Sequence, residues 1–173
     1  MRRGLLITLL IMCTHTVNAA SAPVSNELEN PQIVGEGKFT YYFWDVYNAT
    51  LYAPDGDWDK AGSFALNLEY LRDFEGKKIA ERSIEEIKKQ GFTDEGVLDQ
   101  WRQEMEKIFP DVSDGDSITG IATSDNATRF FLNNELIGEI ADASFTEHFF
   151  NIWLGEKTSE PELRDKLIGD SSE

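Results

Sequence analysis

The chain has 173 residues, 40% of them hydrophobic and 12% aromatic, and its 32 acidic side chains against 16 basic ones give a formal charge of −16 at pH 7. That length suits one domain with a single core, and so acidic a surface repels phosphate backbones and anionic lipid headgroups, which argues against nucleic-acid binding and attachment to acidic membranes. Eleven Phe, five Tyr and four Trp predict a core or an apolar cavity lined with rings, each ring burying about 150–250 Å².

Met1-Arg2-Arg3 precedes an apolar run from Gly4 to Met12, and Val17-Asn18-Ala19 supplies small residues, so residues 1–19 read as a cleavable signal peptide. The run is shorter than the roughly 20 residues of a spanning helix. No stable membrane span is therefore expected, and the predicted destination is a bacterial periplasm. Lipid attachment at Cys13 fits less well, because the bulky Met12 precedes it. Cleavage would remove Arg2 and Arg3, leaving 14 basic residues against 32 acidic ones and a charge of −18. It would also remove Cys13, the one cysteine, and with it any thiol or disulfide chemistry.

Residues 20–32 show little periodicity and read as a flexible lead-in to a folded domain over 33–169, with a short tail at 170–173. Lys38 to Trp44 alternates, with Phe39, Tyr41 and Phe43 on one side, and Val46 to Tyr52 reads as the adjacent antiparallel strand. Phe64, Leu66, Leu68 and Tyr70 alternate with Ala65, Asn67 and Glu69 as a half-buried strand. From Gly76 the period turns helical through Ile79, Ile84 and Ile87 to a stop at Gly91. Thr93 or Asp94 can cap the next helix, whose buried stripe is Val97, Trp101, Met105 and Ile108, and Pro110 ends it.

Strands over Ser117–Thr123, Thr128–Leu132 and Leu136–Ile140 then form a meander, with turns at Ser124-Asp125-Asn126 and Asn133-Asn134. Ser144 with Glu147, and Ser159 with Glu162, have capping-box spacing ahead of two final helices. The predicted class is α+β: a mostly antiparallel sheet of about six strands with helices on one face, an open-faced sandwich.

Chemical motifs are sparse. His148 is the one histidine beyond the leader, so a zinc site of nitrogen and sulfur ligands is excluded. Asp55, Asp57 and Asp59 begin like an EF-hand, but Lys60 and Leu66 stand where glycine and a bidentate glutamate belong. A solvated turn is the better reading, and neither metal nor cofactor is expected.

The succession Gly76 to Arg82, Gly91-Phe92-Thr93-Asp94-Glu95, Ile108-Phe109-Pro110, Leu154-Gly155, Ser159 and Pro161, with Val46-Tyr47 and Leu51-Tyr52 upstream, resembles the chalcone isomerase family, in particular its bacterial, exported members. The resemblance spans Gly35 to Gly169. It implies an open-faced sandwich and, in the plant isomerases, a site built from an arginine, a threonine, a tyrosine, an asparagine and a later Ser or Thr. Local alignment places the tyrosine at Glu75, the asparagine at Arg82, the threonine near Tyr47 and the later hydroxyl at Thr146. Lys38 is the nearest cation to the arginine's place, without its two-pronged geometry. Glu75 puts an anion where a phenol should assist, so flavonoid cyclisation is not expected.

The first expectation is a non-catalytic binding protein holding a small, largely apolar ligand between sheet and helices. A fatty acid-like carboxylate would find counter-charge at Lys38 and Arg82, while Tyr41, Tyr47 and Trp101 line the apolar part and Thr146 adds a hydroxyl. Lys38, Arg82 and Thr146 should then converge on one cavity. Two alternatives stand beside it. One is an isomerase of a non-chalcone substrate with Glu75 as base, which requires a buried Glu75. The other is an acidic module recognising a basic envelope partner.

Overall fold

The computed structural model describes residues 21–169, so the leader over 1–19, Cys13 and the tail over 170–173 lie outside the described residues. Six strands form one antiparallel sheet in sequential order: β1 (Pro31–Tyr41), β2 (Trp44–Pro54), β3 (Phe64–Tyr70), β4 (Ser117–Ala122), β5 (Thr128–Leu132) and β6 (Glu135–Ile140). The helices are α1 (Ala22–Glu27), α2 (Gly76–Lys89), α3 (Glu95–Ile108), α4 (Ala143–Leu154) and α5 (Pro161–Ile168).

The period-2 pattern of β3 separates the two faces of the sheet. Phe64, Leu66, Leu68 and Tyr70 join the main core with α2, α3, α4 and α5, whereas Ala65 turns to the other face. The main core sets aromatic rings among aliphatic side chains. Phe64 meets Phe150 edge-on at 4.7 Å, and Phe130 meets Phe109 and Phe149 at 4.9 and 5.2 Å. Such edge-to-face pairs add about 0.5–1.5 kcal/mol each beyond area burial.

The lead-in expected to be flexible instead contains α1. Val24 and Leu28 are buried against Ala65, Ile121 and Phe131 on the back of the sheet. Its six residues are too few for helical periodicity to show, and tertiary packing holds the segment in place. The β1–β2 turn also differs from expectation. It falls at Tyr42-Phe43, with Tyr42 at φ 54°, and contains none of the Gly, Asn, Asp or Pro that usually mark a turn.

Helix ends follow local chemistry, though not always the expected residue. Asp94 caps α3 by accepting from the Gly96 and Val97 amides. Asp142 caps α4 from the Ser144 and Phe145 amides, displacing the proposed Ser144–Glu147 box. Gly76 begins α2 against the end of α3, and a Cβ there would lie 2.1 Å from the Phe109 carbonyl oxygen. Only glycine permits that approach, which sets the start of α2 over the sheet.

Candidate ligand-binding site

A cavity of about 320 Å³ lies beneath α2. Its floor is the helix-facing side of the sheet: Phe39 of β1, Val46 and Tyr47 of β2, Leu68 and Tyr70 of β3, and Ile118 of β4. Phe149, Ile152 and Trp153 of α4 close one wall, and Phe74 and Phe109 close another. The roof is α2 itself, where Ile79, Ser83 and Glu86 recur at helical spacing beside Lys78 and Arg82. Ser159 and Glu160, from the α4–α5 connection, complete the rim.

The polar groups gather at one end. Glu86 is buried, and it accepts hydrogen bonds from Lys89 at 2.8 Å and from the Ser159 hydroxyl at 2.6 Å while pairing with Arg82. Burial alone would raise the Glu86 pKa, but these donors outweigh it and hold the carboxyl below its ordinary range. Glu160 shows the opposite balance, its pKa raised by burial and then by the charge of Glu86. Tyr47 accepts from the Trp153 indole N–H at 2.9 Å and stacks on Phe39 at 5.1 Å. Burial pushes the Tyr47 and Tyr70 phenols well above their usual pKa, so both are neutral donors at physiological pH.

Of the residues expected to form the site, Tyr47 and Arg82 line the cavity and the others do not. Lys38 is one position out of phase with the floor: Phe39 faces the helices, so its neighbour Lys38 points to the opposite face and pairs with Asp45 at 2.8 Å. Tyr41 shares the face of Phe39 but stands beyond the cavity, exposed at the hairpin end. Trp101 is fully buried between α3 and α4, where its indole N–H donates to Asp142 at 3.0 Å. Thr146 accepts from the Thr128 hydroxyl at 2.9 Å, and its own Oγ lies 3.0 Å from the Asp142 carbonyl. That hydroxyl is committed to tying α4 to the sheet. Lys38, Arg82 and Thr146 therefore do not converge, and the counter-charge scheme built on them is corrected. Glu75 is exposed at the start of α2 and is absent from the cavity wall, which removes it as a buried general base.

The sequence reading missed Tyr70, Glu86, Trp153, Ser159 and Glu160. A signal existed for Glu86, which continues the Ile79–Ser83 stripe, and a glutamate on a buried stripe calls for partners. Ser159 has capping-box spacing with Glu162, but its hydroxyl donates to Glu86 across 73 residues of chain.

A six-stranded antiparallel sheet with α2 to α5 packed on one face is an architecture found in known proteins. A family profile described as chalcone isomerase-like covers residues 17–169. The chain belongs to the chalcone isomerase-like family. An uncharacterized protein of Haemophilus influenzae is 30% identical over 139 residues, covering 80% of this chain and 68% of that protein. The crystal structure of a fatty-acid binding protein of Arabidopsis thaliana superposes with a TM-score of 0.64 at 11% identity, covering 82% of this chain and 88% of that one. At that identity the likeness is one of fold. Within the chalcone isomerase-like architecture, the pocket under α2 is thus the natural place to look for a ligand.

Proposed function

We propose that this chalcone isomerase-like protein is an exported, non-catalytic binder of a small, largely apolar molecule with one polar end. The observation that carries the reading is the cavity under α2, whose rings and aliphatic side chains lead to a single polar rim. Its volume of about 320 Å³ is at the small end of ligand pockets, which run from about 300 to 1,000 Å³, and favours a slender chain over a bulky polycycle. The fold shared with a fatty-acid binding protein supports an acyl chain as the apolar part. Export rests on the basic and apolar start of the sequence.

A fatty acid-like carboxylate would meet Arg82 and Lys78 on the rim, with Tyr47 as a neutral donor. Arg82 already pairs with Glu86, and Lys78 with Glu81 at 2.8 Å, so a carboxylate competes with resident acids. Lowering the pH protonates Glu160 first, because its pKa is raised, and removes one repulsive charge. Carboxylate binding is therefore expected to strengthen as pH falls into the Glu160 titration, whereas binding of the matching alcohol stays level. Absence of catalysis is supported by the exposure of Glu75 and by the saturation of Glu86 with donors.

Native mass spectrometry of the protein expressed with its leader, followed by extraction, tests this reading. A retained apolar molecule at one copy per chain is expected. Protein that emerges empty and takes up neither dodecanoic acid nor dodecanol would overturn it.

A further inference from the structure

The β1–β2 hairpin ends in four consecutive aromatic residues, all strongly exposed: Tyr41 at 54%, Tyr42 at 77%, Phe43 at 92% and Trp44 at 59%. A soluble surface rarely leaves such a cluster bare without a use for it. The local backbone points the same way. Tyr42 occupies the left-handed region at φ 54°, where Gly, Asn or Asp would sit with less strain, so the turn keeps an aromatic ring at the expense of its own preferred chemistry.

The tip also projects. Both hairpin strands have 11 residues, but β3 has seven and pairs with β2 only from Tyr47 to Tyr52. Tyr41 and Trp44 pair only with each other, past the edge of that ladder. The Arg72 guanidinium lies 4.5 Å over the Trp44 ring, and Asp45 is neutralised by Lys38. The result is a narrow, nearly neutral aromatic wedge on an otherwise acidic body.

We propose that this tip is a lipid-docking element that inserts its rings into the headgroup region of a zwitterionic bilayer. Its composition fits that partner, because Tyr and Trp favour the membrane–water interface, where a ring can be buried while its polar atom stays hydrated. Its shape fits too. A protein interface engages about 20–30 residues a side, whereas a single convex turn needs only the shallow depth of the interfacial layer. Charge selects the lipid: a chain at −16 is repelled by anionic headgroups and not by zwitterionic ones, and Arg72 supplies a cation at the base of the rings for lipid phosphate. The register places Tyr41 and Trp44 on the face of the sheet that carries Phe39 and Tyr47, two floor residues of the cavity. Docking would thus set the cavity's hairpin end near the membrane, although the docking itself does not depend on the cavity being filled.

Flotation with vesicles of phosphatidylcholine, alone or with added phosphatidylglycerol, tests the proposal on wild type and the double variant Tyr42→Asn/Phe43→Gly in the same processed form. Asn suits the left-handed φ of Tyr42, and a melting temperature close to that of wild type separates lost docking from lost folding. Wild type is expected to float with phosphatidylcholine and to show a blue shift from Trp44 that Trp44→Phe removes. The double variant should partition about tenfold more weakly or worse, the scale set by losing a buried ring, and phosphatidylglycerol should weaken binding of the wild type. Equal flotation of both proteins, no flotation of either, or stronger binding to phosphatidylglycerol would overturn the proposal. So would self-association that the double variant abolishes in the absence of any vesicle binding, which would make the tip a protein contact.

Discussion

Glu86 and Glu160 sit on one rim with pKa values displaced in opposite directions, and their effects on stability are opposite too. Glu86 is depressed, so its contribution is present above the ordinary glutamate pKa and lost as pH falls through the lowered folded value. Glu160 is raised, so its contribution is present at low pH and lost as pH rises through its folded value. Glu86→Gln should therefore destabilise at neutral pH by roughly 1 kcal/mol, since its cationic partners remain half exposed and hydrated. The loss should shrink in acid. Glu160→Gln should raise the melting temperature at neutral pH, with the gain vanishing below the ordinary glutamate range. Thermal melts of the two variants across pH check both signs, and parallel shifts in the same direction would contradict this assignment. Because Glu86→Gln also releases Arg82, it should tighten binding of dodecanoic acid more than of dodecanol.

Among the elements, α2 decides the site. Its start is fixed by the contact of Gly76 with the Phe109 carbonyl, so Gly76→Ala should push α2 away from α3 and cost roughly 1–3 kcal/mol, as overpacking does. Chemical denaturation measures that cost, and an unchanged midpoint would show that the junction yields. The strands and most helices were legible because their apolar residues keep strict periods of two or three to four, as in Phe64 to Tyr70 and Val97 to Ile108. The Tyr42-Phe43 turn was not, because its residues are strand formers held in a turn by the pairing of Tyr41 with Trp44. Likewise α1 owes its place to Val24 and Leu28 meeting the back of the sheet, a long-range contact with no local signature. For the site, Lys38 could have been set aside on alternation alone, since Phe39 and Tyr41 share the opposite face. Ser159 meeting Glu86 could not be foreseen from either segment.

At the scale of the molecule, the family supplies an open sheet roofed by helices, and this chain packs the space between them with aliphatic side chains and rings but leaves a cavity under α2. There the acids and bases of the rim neutralise one another, so apolar contact carries most of the expected affinity. Ile118→Phe, in the floor, should fill part of the cavity and weaken dodecanol binding about tenfold or more while the fold persists, a loss that calorimetry would register. Dodecanoic acid titrated against the isotopically labelled protein, followed by NMR, tests the binding claim most directly. Saturable shifts are predicted at Tyr47, Ile79 and Ile118 and at the Trp153 indole N–H, and they should disappear in Ile118→Phe. Shifts confined to the β1–β2 tip, or none at all, would contradict a ligand site beneath α2.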